Sequence, residues 1–245
     1  MQNHYIIGDV HGEYQTLLAL VAKLPKDAKL VFVGDLIDRG LESKKVIAFI
    51  KKYNHLTLMG NHEVLFIWYA RELIRYFKGE ITYEELNPKW GNSGRLHTFL
   101  SYGMVKVLPS GISDFVKDEA NIEALLEDIA WMKKLPLYLE LDAKHSSGKK
   151  VVVSHSNISQ VWNIRHDKKQ KALFEQTTLW TREKETYSKA DIFNIYGHTP
   201  KEYAVEIAED YACIDRGCCF YGEKGYGKLS AYCVESGEVI EVAHV

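Results

Sequence analysis

His4-Tyr5-Ile6-Ile7-Gly8-Asp9-Val10-His11-Gly12 starts as a short apolar strand, breaks at a glycine, and turns through an acid and an imidazole. Residues 13–24 follow with Leu17, Leu18, Leu20, Val21 and Leu24 recurring at helical spacing. The unit then repeats. Residues 30–33 predict a second strand, Gly34-Asp35-Leu36-Ile37-Asp38-Arg39-Gly40 a turn, and residues 42–53, with Val46, Ile47 and Ile50, a second helix. A third strand over 56–59 ends at Gly60-Asn61-His62-Glu63, ahead of a helix over about 63–77. Strands alternating with helices predict an α/β fold with parallel strands joined by right-handed crossovers.

Beyond this frame, residues 79–135 show no strand pattern of comparable quality; a helix over 120–133 is the clearest feature. Strands resume at 137–141, 151–154, 192–196, 211–214, 229–234 and 239–242. The last three lie near glycine-rich turns and read as an antiparallel ladder. A single domain over 1–245 with a helical insertion at about 79–135 is the expectation. Composition agrees with a folded globular chain: of 245 residues, 46% are hydrophobic and 26% charged. Lys and Arg number 31 against 33 Asp and Glu, a net charge of -2, which argues against a dedicated nucleic-acid binder. No apolar stretch reaches the ~18 residues of a membrane span, and the N-terminus has no signal-peptide pattern. A cytoplasmic protein, with no membrane and no nucleic acid among its partners, is expected. Cys213, Cys218, Cys219 and Cys233 lack zinc-ligand spacing and read as reduced thiols.

Five predicted strands end in residues that bind metals. Asp9 and His11 follow the first, Asp35 the second and Asn61 the third; Val151-Val152-Val153 runs into Ser154-His155, and residues 192–196 into Gly197-His198-Thr199-Pro200. Taken alone, an Asp before a helix is an ordinary cap and a lone His an ordinary surface or core residue. Together they converge, because ligands of open α/β sheets bind beyond the carboxyl ends of the strands. Burying two carboxylates and several imidazoles without a cation would cost several kcal/mol. Carboxylate, imidazole and amide oxygen suit manganese, iron or zinc. Six ligands exceed what one catalytic ion with open positions uses, so they divide between two ions bridged by a carboxylate. Such a pair can clamp both oxygens of an in-line phosphoryl displacement and supply hydroxide at neutral pH.

Gly-Asp-x-His-Gly at Gly8, Gly-Asp-x-x-Asp-Arg-Gly at Gly34 and Gly-Asn-His-Glu at Gly60 resemble, in this order, the signature of the phosphoprotein phosphatase branch of the metallophosphoesterases. The likeness continues through His155, Leu179-Trp180-Thr181-Arg182-Glu183, Gly197-His198-Thr199-Pro200 and Ile214-Asp215-Arg216-Gly217, and is strongest to the lambda-phosphatase-like bacterial serine/threonine phosphatases. It implies the calcineurin-like fold: two packed mixed β-sheets flanked by helices. It also implies two divalent ions, manganese foremost and iron or zinc otherwise. Asp9 and His11 would bind the first, Asp35 would bridge, and Asn61, His155 and His198 would complete the second. His62 resembles the general acid, Asp38 its carboxylate partner, and Arg39 and Arg182 the arginines that hold phosphate oxygens.

Physical chemistry agrees with these roles. A leaving alkoxide needs a proton, a carboxylate beside an imidazole raises its pKa, and guanidinium forks match phosphate oxygens. For Arg182 an ion pair with Glu183 or Glu185 is the competing reading. The implied activity is hydrolysis of phosphomonoesters by a monomeric enzyme, with phosphoserine and phosphothreonine proteins or small phosphorylated molecules as substrates. Symmetrical diadenosine tetraphosphatase activity is the alternative on the same scaffold, and Asp38 is expected to argue against it. The chain departs from the resemblance at Arg216, where related sequences carry a small hydroxyl residue; in residues 156–174, a candidate substrate-facing loop whose Trp162 and Arg165 read equally as substrate contacts or as surface packing; and at Gly91-Asn92-Ser93-Gly94.

Overall fold

Alternation along the strands sets the layers. In the computed structural model, which describes residues 2–86, 94–107, 113–182 and 190–245, Tyr5 and Ile7 face one side of the first strand and Ile6 the other. That strand, β1 (His4–Ile7), is followed by α1 (Tyr14–Val21), β2 (Lys29–Phe32), α2 (Ser43–Tyr53), β3 (Leu56–Thr57) and α3 (Asn61–Phe77). Next come α4 (Tyr83–Leu86), α5 (Arg95–Ser101), β4 (Val105–Val107), β5 (Ser113–Phe115) and α6 (Glu119–Met132). The chain closes with β6 (Tyr138–Leu141), β7 (Lys150–Ser154), α7 (Lys171–Trp180), β8 (Ile192–Tyr196), β9 (Glu206–Ile207), β10 (Tyr211–Cys213), β11 (Lys228–Cys233) and β12 (Val239–Ala243).

Two five-stranded mixed sheets result, ordered β12-β11-β1-β2-β3 and β6-β7-β8-β10-β9. They face each other across Ile6, Val31, Val33, Val151, Val153, Phe193, Ile195 and Ile214. The outer face of the first sheet carries Tyr5, Ile7, Leu30 and Phe32 against Leu17, Leu20, Val46, Ile47, Ile50 and Phe66 of the helices. The outer face of the second carries Val152 and Ile192 against Trp162 and Phe174. With both faces covered, these strands read as near-continuous apolar runs. Each buried Val, Ile or Phe contributes roughly 1.5–3 kcal/mol. A one-residue slip would exchange the two faces, so register is strongly specified.

Three local expectations need correction. The ladder of the last three strands is confined to β11 and β12: β10 lies in the other sheet, parallel to β8 with Tyr211 opposite Asn194 and Cys213 opposite Tyr196. Both sheets turn apolar residues to the same interlayer, so periodicity does not assign a short strand to one of them. The stretch 79–135 contains, besides α4, α5 and α6, a β4–β5 hairpin of three-residue strands, too short to show alternation. Finally, α1 ends at Val21, three residues early, as Lys23 and Leu24 donate to carbonyls three residues back just before Pro25.

Candidate metal centre

The loops leaving β1, β2 and β3 of one sheet and β7 and β8 of the other meet at one edge of the sandwich. Asp9, His11, Asp35, Asp38, Asn61, His62, His155 and His198 are all buried there. The turns that deliver them are strained. His11, Asp35, Asp38, Arg39 and His198 have φ of 48°, 50°, 70°, 71° and 65°, a left-handed region costly for side-chain-bearing residues. Neighbouring segments enforce it. The Val10 and His11 amides donate to the Asp35 carbonyl at 3.1 and 2.9 Å, and the His198 amide donates to both Asp9 oxygens at 3.1 Å. Gly197 is required here, because a Cβ at that position would collide with Asp9 Oδ1.

His155 donates Nδ1–H to the Val33 carbonyl at 3.0 Å, so its Nε2 presents a lone pair. That lone pair faces Asn61 Oδ1 at 2.9 Å, His198 Nδ1 at 3.1 Å and Asp35 Oδ1 at 3.4 Å. Across Asp35, His11 donates Nδ1–H to the Ile37 carbonyl at 3.0 Å, and its Nε2 lies 3.8 Å from Asp35 Oδ2. Burial lowers the pKa of His11 and His155 and pushes that of His198 down to about 3, which favours the neutral form with a lone pair free to bind a cation. Burial, then the nearby Asp215 and Asp35, raise the Asp9 carboxyl well above its usual range; burial also pushes Asp215 up to about 6. Convergent lone pairs and crowded carboxylates are the arrangement a divalent cation relieves, so the donor set fits.

Two groups of potential ligands emerge, His11 with Asp35 and His62, and Asp35 with His155 and His198. Asp35 is common to both. Asp9 lies alongside, its oxygens engaged by the His198 amide, and belongs to neither convergent group.

His62 differs from the other imidazoles. Its Nδ1 meets Asp38 Oδ2 at 2.7 Å, while Nε2 points into the site, 3.9 Å from Asp35 Oδ2. Burial opposes its charge, but Asp35 and the bonded Asp38 outweigh it and raise its pKa. Asp38 is fixed in turn by Thr98, whose hydroxyl donates to Oδ1 at 2.7 Å, and its amide donates to Thr98 Oγ1 at 2.9 Å and to Ser43 Oγ at 3.2 Å. Arg182 is exposed and donates to the His198 carbonyl at 2.7 Å. Arg39 is half-buried.

Some residues acquire roles that sequence reading left blank. Glu63, fully buried, accepts from the amides of Asp35 at 2.9 Å, Leu36 at 2.8 Å and Gly60 at 2.8 Å. Its place as third residue of α3 after Gly60 is half of a capping box and is the signal that could have found it. Thr98 and Ser43 carry no such signal. Arg216 is structural: Nε donates to Glu241 Oε1 at 2.7 Å and the other nitrogens to the Lys201 and Gly225 carbonyls. Trp162 and Arg165 do not join the site; Trp162 packs edge-on against Tyr138 and Phe174 does the same, with the Arg165 guanidinium 4.0 Å above the Trp162 ring. All four cysteines are free thiols. Glu183, Glu185 and Gly91-Asn92-Ser93 lie outside the described residues.

Residues 5–226 match the family model described as calcineurin-like phosphoesterase. The chain is 29% identical to the asymmetrical bis(5′-nucleosyl)-tetraphosphatase PrpE of Geobacillus thermodenitrificans, covering 89% of this chain and 86% of that one. It is 25% identical to a symmetrical bis(5′-nucleosyl)-tetraphosphatase of Coxiella burnetii, over 84% of this chain but only 57% of the relative. Among solved structures, a protein serine/threonine phosphatase from Saccharomyces cerevisiae superposes with a TM-score of 0.60 at 13% identity, covering all of this chain and 80% of that one. No helix among the described residues is long and apolar enough to cross a membrane.

Proposed function

The chain belongs to the calcineurin-like phosphoesterase family, and from that premise we propose that it is a two-metal phosphohydrolase whose foremost substrates are dinucleoside tetraphosphates. The observation that carries the reaction is Asp35, shared by two sets of convergent ligands. The substrate reading rests on the similarity to PrpE, which spans most of both chains. Asp9, His11 and Asp35 would hold one divalent ion, and Asp35, Asn61, His155 and His198 the other, with manganese foremost and iron or zinc otherwise. When bound, the ions supply positive charge at the phosphoryl group and an activated water.

The chain's own side chains do the rest. Asp38 anchors His62 through Nδ1 and, with Asp35, raises its pKa, leaving Nε2 to deliver a proton to the departing oxygen. Arg39 and Arg182 hold the non-bridging phosphate oxygens by bidentate forks. The water oxygen thus bonds to phosphorus as the P–O bond to the leaving group breaks; His62 gives its proton to the departing oxygen, and the proton the water loses goes to solvent, from which His62 is restored.

Hydrolysis of phosphoserine and phosphothreonine in proteins is the second reading, favoured by the Asp38–Arg39 pair with Asp38 buried against His62. Values of kcat/KM on diadenosine tetraphosphate, a phosphoserine peptide, p-nitrophenyl phosphate and a bis-aryl phosphodiester separate the readings. The expected order places the tetraphosphate first; ADP alone as product reports central cleavage, and AMP with ATP off-centre cleavage. A tenfold preference for the phosphopeptide moves the assignment to the second reading, and inactivity on all four removes both.

A further inference from the structure

Arg39 is held in an unusual way. Its backbone is clamped: the amide donates to the Gly94 carbonyl at 3.1 Å, and the carbonyl accepts from His97 Nδ1 at the start of α5. No carboxylate clamps its guanidinium among the described residues. The guanidinium carbon sits 4.7 Å from the centre of the Phe220 ring, Nη1 reaches Cys219 Sγ at 3.8 Å, and Nε is buried with no hydrogen-bond partner among the described residues. Phe220 is itself braced edge-on by Tyr226, with ring centres 6.2 Å apart. Gly217, at φ 59°, leaves room for both rings, since a Cβ there would lie 2.9 Å from Phe220 and 3.0 Å from Tyr226.

We propose that Phe220 is the positioning residue for Arg39, fixing the plane of its guanidinium while leaving the N–H edge free for phosphate. A carboxylate partner would orient Arg39 equally well but would occupy its donors and cancel its charge. An aromatic face attracts the cation without using a single N–H. This inference rests on Arg39 as a phosphate ligand, so it specifies a further residue of the proposed site.

The test is a double-mutant cycle on the manganese-loaded protein, read by the Kd of inorganic phosphate in calorimetry and by KM and kcat on p-nitrophenyl phosphate. Phe220→Leu is expected to weaken phosphate binding and raise KM roughly three- to tenfold, the usual worth of a partly buried cation–π contact. Phe220→Tyr, which keeps the ring, stays within about twofold, as does Cys219→Ala, which removes only the thiol contact. In an Arg39→Ala background, Phe220→Leu should cost nothing further. Unchanged phosphate affinity in Phe220→Leu, an equal loss with and without Arg39, or a larger loss from Cys219→Ala overturns the proposal. Should Phe220→Leu fail to fold, Phe220→Tyr must retain wild-type affinity, and loss of affinity there overturns it as well. Failure of the phosphohydrolase reading shows separately, as a wild-type protein that binds phosphate but hydrolyses none of the esters.

Discussion

At His62 the opposing effects can be ranked. Burial disfavours the charged ring, yet Asp35 and the 2.7 Å contact with Asp38 win, and the ring holds its proton more tightly than a free imidazole. His62→Asn is therefore expected to lower kcat by roughly 10²–10⁴ on a substrate with a poor leaving group, and by much less on a nitrophenyl ester. Equal losses on both esters would assign His62 to positioning instead. Arg182 stands at the opposite extreme: exposed, and bonded to the His198 carbonyl. Arg182→Lys keeps the charge without the fork and should still impair turnover. Arg182→Ala should weaken inhibition by inorganic phosphate at wild-type metal content; unchanged inhibition would show that Arg182 does not touch the phosphate.

At the scale of elements, the N-terminus of α3 organises the turn after β2. The helix starts two residues earlier than its apolar pattern predicts, so Asn61 and His62 occupy its first turn, and Glu63 gathers three amides from Asp35, Leu36 and Gly60. Burial and the neighbouring Asp35 push the Glu63 carboxyl up to about 7, while those amides pull it down. Glu63→Gln replaces one acceptor oxygen with an NH₂ facing an amide donor. It should destabilise the fold by about 1–3 kcal/mol, measured as a lower urea midpoint at unchanged m-value. The Asp35 turn loses its clamp in the same step, so metal affinity should fall too. An unchanged midpoint would show that the three bonds are dispensable.

Across the whole molecule, the proposed ligands divide between the sheets: Asp9, Asp35 and Asn61 leave the first, His155 and His198 the second. A cation held by Asp35, Asn61, His155 and His198 would tie the two layers of the sandwich together. Each occupied site should stabilise the fold by about 2.7 kcal/mol at a free-metal concentration of 100 Kd. For a chain of this size that raises Tm by roughly 5–10 °C per site. Manganese should do this better than calcium, which prefers six to eight oxygen ligands to imidazoles. Asp35→Asn should remove most of the shift for both ions, and a chelator should abolish it together with activity. A Tm indifferent to metal and chelator, with activity intact, would sink the two-metal assignment.

The sequence alone determined which candidate residues gather at one edge, because β1, β2 and β3 run parallel, as do β7 and β8, and Asp9, Asp35, Asn61, His155 and His198 each follow one of these readable strands. Local periodicity also located the first three helices and most strands to within a few residues. Tertiary structure decided what local pattern cannot carry. Strand β10 joined β8 because both sheets feed one apolar interlayer, and nothing in residues 211–213 distinguishes the two partners. Thr98 reaches Asp38 across 60 positions and Phe220 lies over Arg39 from the far end of the chain; contacts of that separation leave no period to read. The tethering of Asp9 to the His198 amide, and the burial that lowers the pKa of three imidazoles while Asp35 and Asp38 raise that of His62, likewise arise only once the two sheets close on each other. Burial and through-space charge are properties of the packed molecule, whereas the order of ligands along a chain is a property of its sequence.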